Sequence, residues 1–448
     1  MIRRLALSCL AACCVSGLGG AGASALQIEP IPPVAAAAPE RGDAPPTPGE
    51  AAKPAEAAKP AEGEKPAEEA AAPADVPPLM QAWDAVGLKK AMDSIGLLTY
   101  GYVEGGFTGR LIGGQHPLPL RTFDGPKPDN LLLDQLKLTI ERPVDQTKPF
   151  DLGGRVDVIY GSDARFIHAL GLTDTVAHPD EDNTLDIEQM YVKAFIGKGN
   201  KEGEGLDVMF GKFVTTMGAE VIDAPGNALY SHSMLFNFAI PFTHTGVKVN
   251  YTFGPIGSAY VAAVRGWDVF KDNNDAWSTM AGGVLNTPEQ VGGAPRASLA
   301  LNVITGPEQF HDVSDYRTVV DMIGTYHWTE KLTEMLNWDY GTEQHGAGPS
   351  AAHWTGLCHY LTYTFCDYVA GTWRVEWFQD HDGVRTGIQG DLYEQTWGVS
   401  LTPFPKHPIF KNLIIRPEIR WDFTGAAEDA FGGNDNQLTA GFDVIFKF

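Results

Sequence analysis

The chain has 448 residues, with 33 basic and 56 acidic side chains and a formal net charge of −23. Nucleic acid is therefore not expected as a partner, because binding to phosphates needs a basic surface. The 50 glycines and an aromatic content of 10% are typical of an all-β protein with many turns.

The first 25 residues have the pattern of a secretory signal peptide. Arg3 and Arg4 precede an apolar run from Leu5 to Val15, and Ala23-Ser24-Ala25 resembles a cleavage site. We expect cleavage after Ala25. A competing interpretation is a bacterial lipobox at residues 10–13, which would make Cys13 a lipidated N-terminus.

Residues 26–78 repeat a six-residue Ala/Lys/Pro/Glu unit and form a low-complexity periplasmic spacer. Proline recurs too often for a helix, and almost no apolar side chain is available for a core. The segment is expected to be disordered and extended. It either crosses or touches the cell wall or is a plain disordered tail.

Residues 79–96 have an apolar face and predict a short amphipathic helix. This face carries Leu79, Trp83, Val86, Met92 and Ile95. The helix would either pack under the following domain or plug or line the periplasmic mouth of a barrel.

Residues 97–448 alternate between apolar and polar side chains, which is the pattern of strands with two different faces. In the stretch 412–423, Leu413, Ile419 and Phe423 fall on one face, whereas Arg416 and Asp422 fall on the other. Sixteen strands are predicted near 97–110, 130–142, 151–162, 185–197, 205–217, 242–253, 256–268, 276–286, 296–306, 315–328, 331–343, 352–366, 369–380, 391–402, 412–424 and 437–448.

The predicted connections alternate between short and long, which places the long links at one end of the sheet. This alternation requires the strand at 276–286, whose own pattern is the weakest. The short links include 254–256, 329–331 and 367–368, and the long links include 111–129, 163–184, 218–241, 307–314, 344–351, 381–390 and 425–436.

The apolar faces are predicted to meet lipid. A closed ring of sixteen strands is too wide for its side chains to fill, so its interior holds water and is lined by the polar faces. No segment after the signal peptide has 18 consecutive apolar residues, so a membrane would be crossed by strands. We therefore predict an all-β fold, a transmembrane antiparallel up-and-down β-barrel. The alternative, a soluble two-sheet β-sandwich, explains neither the signal peptide nor the alternating links.

Two details of the strands carry separate expectations. Glu334 is in register with Leu332 and Leu336, so it would face lipid unless it lies at the membrane interface or the register shifts. Cys358 and Cys366 lie in one predicted strand, about 26 Å apart at the usual rise, whereas a disulfide needs less than about 7 Å. No disulfide between them is expected.

The interior of the predicted barrel carries nearly balanced charge, which favours a general diffusion pore over an anion channel. Each of these residues either contacts solute or braces the wall by pairing with a neighbour. The predicted pore-lining residues are Lys137, Glu141, Arg155, Asp157, Lys248, Arg317, Asp321, Asp339, Arg374, Glu376, Glu394, Arg416, Glu418, Arg420, Asp422 and Asp443.

The long link 218–241 is the candidate constriction because its second half is apolar, which an external loop in water does not require. It would fold inward against the wall, or it would pack on a neighbouring barrel. If it folds inward, Tyr230, His232 and Asn237 are its polar groups facing the solute path.

Three other links are acid-rich: 178–183, 271–275 and 427–435. They are either solvated surface or a negative field that favours cations at the mouth.

Motifs for catalysis and metal binding are absent from the sequence, including G-x-S-x-G, H-E-x-x-H, the P-loop and C-x-x-C. An enzyme, a cofactor and a metal site are therefore not expected. Two other classes stay open: a sealed structural or adhesive barrel, and an outer-membrane hydrolase.

Several long segments resemble the β-barrel porin-2 family, also called OmpL-like. They are 98–109, 211–253, 264–275, 301–308, 378–387 and 413–423. The resemblance covers essentially all of residues 80–448, and the spacer is not part of it. It implies an outer-membrane barrel that is surrounded by lipid and passes small hydrophilic solutes. Sixteen-strand pores are usually trimers, which makes a homotrimer an expectation by analogy.

The C-terminus is similar to the signal read by the outer-membrane insertion machinery. Phe442, Val444, Phe446 and Phe448 are in phase on one face of the last predicted strand. The insertion machinery is therefore an expected partner through Phe448.

Overall fold

The computed structural model describes residues 76–113, 117–125, 127–174, 183–200, 203–425 and 430–448. The predicted signal peptide, the alternative at Cys13 and the spacer up to residue 75 lie outside these residues. Residues 178–182 and 427–429 of the acid-rich stretches also lie outside them.

Two short helices precede the first strand: α1 (Pro78–Ala85) and α2 (Lys89–Ser94). Between them Gly87 adopts a φ of +78°, in the left-handed region that glycine enters without steric cost. The chain bends there, so the one helix predicted over 79–96 is two helices.

Sixteen strands form one sheet within the described residues. They are β1 (Leu98–Ile112), β2 (Leu131–Arg142), β3 (Phe150–Gly161), β4 (Thr184–Gly197), β5 (Gly205–Val214), β6 (Thr243–Thr252), β7 (Gly257–Val264), β8 (Ser278–Asn286), β11 (Ala297–Pro307), β12 (Tyr316–His327), β13 (Leu332–Ala347), β14 (Ser350–Cys366), β15 (Val369–Asp380), β16 (Gly390–Leu401), β17 (Leu413–Thr424) and β18 (Asn436–Lys447). A separate hairpin, β9 (Gln290–Val291) and β10 (Ala294–Pro295), lies between β8 and β11.

The sheet closes into an antiparallel barrel in which each strand pairs with its neighbours along the chain. Strand β1 pairs with β18, and the amide of Phe448 donates to the Gly101 carbonyl at 2.8 Å. The predicted sixteen-strand barrel is confirmed, including the weak strand at 276–286, which is β8.

Three links differ from the expected pattern. The link predicted as long at 344–351 is a tight turn, because β13 and β14 extend to Ala347 and from Ser350. At the other end of the barrel, which we call the short-turn end, the link from β8 to β11 contains the small hairpin. The link from β16 to β17 is also long there and includes a 3-10 turn at Phe410–Asn412.

The outer face of the barrel is apolar and the inner face is polar. Ile419 is 47% exposed and Val399 is 37% exposed, whereas Arg374 and Asp422 on the same sheet are fully buried. Within the described part of the chain, no helix has the length and apolar character needed to span a bilayer.

Glu334 lies on the outer face at the short-turn end, three residues into β13. Its carboxylate accepts from Trp328 Nε1 at 2.8 Å and lies 2.9 Å from His359 Nε2. The outward-facing carboxylate of Glu334 therefore has polar partners near the barrel rim. This agrees with the alternative that places Glu334 at the membrane interface.

Cys358 and Cys366 both lie in β14 and are free thiols, Cys358 buried and Cys366 exposed. The predicted absence of a disulfide between them agrees with this geometry.

Candidate functional site

Charged side chains on the inner faces of β15, β16 and β17 form buried ion pairs. Arg374 contacts Glu394 at 2.9 Å and Glu220, from the link between β5 and β6, at 2.7 Å. Arg420 contacts Asp422 at 2.7 Å. Each of these guanidinium groups is fully buried, so its charge is balanced by carboxylates in direct contact.

A second group joins β17, β18 and β1. Arg416 contacts both oxygens of Asp443 and lies 3.4 Å from Glu104. It also donates to the carbonyls of Ala224 and Asn227 at 2.8 and 2.6 Å. This arginine therefore holds the barrel wall and the link between β5 and β6 together.

A third group joins β2, β3 and β4. Lys137 lies 3.1 Å from Asp157 and 2.8 Å from Glu188, and it also pairs with Asp223 of the link between β5 and β6. Arg155 contacts Asp157 at 2.9 Å. One lysine thus faces three carboxylates.

Four other predicted wall residues, Arg317, Lys248, Asp321 and Asp339, are not part of these ion-pair groups. Arg317 pairs with Glu343 at 2.9 Å, and Lys248 lies 5.1 Å from the centre of the Phe213 ring. Asp321 accepts from Asn302 and Asn337 and is directly opposite Asp339 in the neighbouring strand.

Glu141 accepts from the Tyr100 hydroxyl at 2.6 Å and lies 3.8 Å from Arg155. The sixteen predicted wall residues are therefore distributed over several groups around the ring.

The link 218–241 lies inside the ring. Its Gly218 amide donates to Asp321 on β12 at 3.2 Å, and its Ala224 amide donates to Gln135 on β2 at 3.3 Å. Strands β2 and β12 are eight positions apart in the ring of sixteen, which places them on opposite sides. A segment that reaches both strands must cross the interior. The link is therefore folded inward, which is the first of the two alternatives.

Two wall carboxylates bind successive backbone amides of this segment. Glu376 accepts from the amides of Met234 and Leu235 at 2.6 and 2.7 Å. Glu418 accepts from the amides of Tyr230 and Ser231 at 2.9 and 3.1 Å. Hydrogen bonds from buried amides to carboxylates are among the stronger kinds in proteins, so the segment is held along its length.

Glycines on the inner face of the wall leave room for the apolar side chains of the segment. A Cβ at Gly398 would lie 2.3 Å from Leu229 Cδ2, and one at Gly356 would lie 2.8 Å from Leu235 Cδ2. A Cβ at Gly106 would meet Tyr230 just as closely. Any larger residue at these positions would displace the segment.

The three side chains predicted to face the solute path are packed between the segment and its surroundings. Tyr230 and His232 are each 5% exposed, and the Tyr230 hydroxyl donates to Asp134 at 3.3 Å. Asn237 is 9% exposed and accepts from Thr122. The open part of the segment is instead near Asp223 and Ala228.

Burial also sets the charge state of His232. Its ring stacks on Phe236 at 4.2 Å, and burial lowers its pKa to about 4. The ring is therefore neutral at pH 7, and it contributes packing and hydrogen bonds rather than positive charge.

Aromatic side chains from two long links pack around the segment. Phe123, from the link between β1 and β2, lies 5.5 Å from Phe236 and 5.9 Å from Phe242, centre to centre. Leu120, Met234 and Ile240 belong to the same buried cluster. The interior is thus partly apolar where the segment lies.

Several charged partners were not among the predicted residues. Glu104 and Glu188 follow the same alternation on β1 and β4, so the pattern could have found them. Glu220 and Asp223 lie in a link, where no periodicity marks the direction of a side chain.

Among the described residues, no group of three or more His, Cys, Asp or Glu side chains has a geometry that could hold a metal ion.

A closed barrel with an apolar exterior, a charged interior and an internal segment defines the class of transmembrane β-barrels of the porin type. Residues 97–448 match the model of the beta-barrel porin-2, OmpL-like family, and the chain belongs to this family. Among curated proteins, none matches the chain.

Solved structures of outer-membrane proteins have a similar fold. The high-pH structure of OprB from Pseudomonas putida aligns with a TM-score of 0.53 and 15% identity, over 82% of this chain and 97% of that one. The outer membrane channel DcaP of Acinetobacter baumannii aligns with a TM-score of 0.49 and 16% identity, over 79% and 97%. At this identity, the OprB alignment supports the fold alone.

Proposed function

We propose that this protein is an outer-membrane porin through which small hydrophilic solutes or ions diffuse passively, and that it has no enzymatic activity. The observation that carries the proposal is the link 218–241, which crosses a charged interior between opposite strands and is hydrogen bonded to the wall. A segment in this position narrows a water-filled lumen and leaves passage only beside it.

The charges beside the passage support mixed rather than strongly selective transport. Most wall charges are paired and buried, and among the paired groups Glu141, Arg155, Asp223 and Arg317 keep side-chain exposures of 19%, 11%, 17% and 17%. Both signs are present among these open groups. The other charges act mainly by bracing the wall and the segment.

The experiment is single-channel recording of the purified full chain in planar bilayers, with Glu376→Gln compared with wild type. A neutral amide accepts the Met234 and Leu235 amides more weakly, so the segment should detach for part of the time. We expect stable steps for wild type, and larger and noisier steps for the variant.

The matched control is Glu343→Gln, which removes a carboxylate from the same inner face. In the wild type, Glu343 pairs with Arg317 and not with the segment. Its step size should stay close to wild type. Equal changes in both variants would contradict the role given to the segment.

A sealed structural barrel is the second candidate, and the buried apolar cluster around Phe123 and Phe236 favours it. The same recordings separate the two. A sealed barrel gives no steps in wild type, and opens only when Glu376 is changed.

A further inference from the structure

The helix α1 packs against the outer side of β1 at the short-turn end. The Thr99 amide donates to Met80 Sδ at 3.4 Å, and Trp83 Nε1 donates to the Thr99 hydroxyl at 2.7 Å. Thr99 is directly opposite Ile140 of β2, which is 43% exposed on the outer wall. The helix therefore lies outside the ring, and the alternative in which it plugs the mouth does not describe its position.

Each helix carries an apolar stripe with helical spacing. In α1 and the bend that follows it, the stripe is Leu79, Ala82, Trp83 and Val86. From Leu88 through α2, it continues with Ala91, Met92 and Ile95. Such spacing puts apolar side chains on one side of each helix.

Three of these side chains have little protein around them in the described part of the chain. Val86 is 66% exposed, Leu88 is 50% exposed and Ile95 is 60% exposed. Large apolar side chains exposed beside a lipid-facing wall indicate a surface that is covered in the native setting.

An open groove of about 660 Å³ adjoins the helices on the same outer wall. Leu97, which follows α2, forms one side of it, and Phe150, Leu152 and Val192 form much of the rest. The last two are 56% and 62% exposed. Through Leu97, the end of α2 adjoins the wall that the fold assigns to lipid.

Basic groups lie at the same rim. Arg142 lines the groove, donates through Nε to the Ile95 carbonyl at 3.2 Å and pairs with Asp151 at 2.9 Å. Lys89 pairs with Asp93 at 2.6 Å, and Lys90 is exposed. Cations beside an apolar stripe are the pattern of helices that lie in a membrane interface, where they face lipid phosphates.

We propose that α1, α2 and the adjoining groove form an interfacial anchor, embedded in the phospholipid leaflet at the short-turn end of the barrel. The apolar stripe lies among the upper acyl chains, and Lys90 and Arg142 lie at the level of the phosphates. The anchor fixes the start of β1, where the barrel closes, against the membrane.

The test is nitroxide labelling of the full chain in phosphatidylethanolamine/phosphatidylglycerol vesicles. Single cysteines replace Val86 or Leu88 in a background that carries Cys9→Ser, Cys13→Ser, Cys14→Ser and Cys366→Ser. Among the described residues, Cys366 is exposed and the remaining Cys358 is buried. Collisions of the label with oxygen, which partitions into lipid, are compared with collisions with a water-soluble nickel chelate. We expect the oxygen-to-nickel ratio at 86 and 88 to be several-fold higher than at matched controls.

The controls are Asp84→Cys and Lys90→Cys, which are exposed on the polar sides of the same helices. Equal ratios at all four sites would overturn the proposal, because the stripe would then lie in water. Exclusion of both reagents at 86 and 88 would also overturn it, since the stripe would then be covered by another part of this chain or by a second copy. The measurement does not depend on conductance, so its outcome is independent of the proposed transport.

Discussion

Gly398 shows how a single residue determines the position of the internal segment. Gly398 has no side chain to project into the barrel, and Leu229 occupies the space that a Cβ would fill. Similar space is left at Gly356 and Gly106. The wall is therefore shaped for the segment as well as charged to bind it.

At this scale we predict that Gly398→Val displaces the segment and costs about 1–3 kcal/mol of stability, the usual range for overpacking. Single-channel recordings should show an altered step size, and denaturant titration in vesicles should show the lower stability.

The matched control is Gly324→Val, because the nearest atom to a Cβ there is the Ser298 carbonyl oxygen at 3.9 Å. This substitution should leave both measurements near wild type. An unchanged step size in the Gly398 variant would contradict the tight contact with Leu229.

The sequence predicts the direction of single charged side chains but not their partners. Alternation along β15 and β17 predicts that Arg374 and Glu418 face inward, and they do. Each also has a partner more than 100 positions away, such as Glu220 for Arg374 and the Tyr230 amide for Glu418. No local pattern specifies such contacts, so the burial of these charges was not predictable.

The positions of the long strands were predictable from the sequence, whereas the short elements were not. A strand of ten or more residues repeats its alternation often enough to be recognised, as in β12 or β17. The hairpin Gln290–Val291 and Ala294–Pro295 has two residues in each strand, which is too short for any period. The division of the predicted helix depends on the conformation of Gly87, which composition alone does not fix.

The link between β3 and β4 should respond to pH through Asp163. Burial raises the pKa of its carboxyl to about 7, although hydrogen bonds from Gln135 and Ser162 oppose the shift. A raised pKa in the folded protein adds stability that is complete below the unfolded value near 3.8 and is lost as pH rises toward 7.

We therefore expect amides of residues 162–170 to exchange faster at pH 8 than at pH 5, after correction for intrinsic exchange rates. Asp163→Asn should remove most of this difference. The comparison variant is Asp174→Asn in the same link, where the backbone amide of Gly171 lowers the pKa of an exposed carboxyl. A pH dependence that survives in the Asp163 variant would exclude this residue as its source.

The assignment of the barrel to a membrane depends on the apolar face of its wall pointing outward. Phe442 lies on the outer face of β18, 38% exposed, and its ring is 6.2 Å from that of Phe107. If this face meets acyl chains, a charge placed there must be buried in hydrocarbon or distort the bilayer.

We predict that Phe442→Lys lowers the free energy of unfolding in vesicles by about 2–4 kcal/mol, as for lysine near the midplane of other membrane barrels. Leu111→Lys is the control. Leu111 is also apolar and 58% exposed, but it lies at the end of β1 beside a long link. Its cost should be below about 1 kcal/mol. Equal costs at the two sites would contradict a membrane around the barrel.

The hydrogen bond between Phe448 and Gly101 joins residues that are more than 300 positions apart along the chain. Until that seam forms, β1 and β18 each have an unpaired edge, and an unpaired edge can capture a strand of another molecule. Such distant pairing is also slow to form. Folding therefore passes through an open sheet with two unpaired edge strands. Folding without aggregation requires that both edges be shielded until they pair with each other.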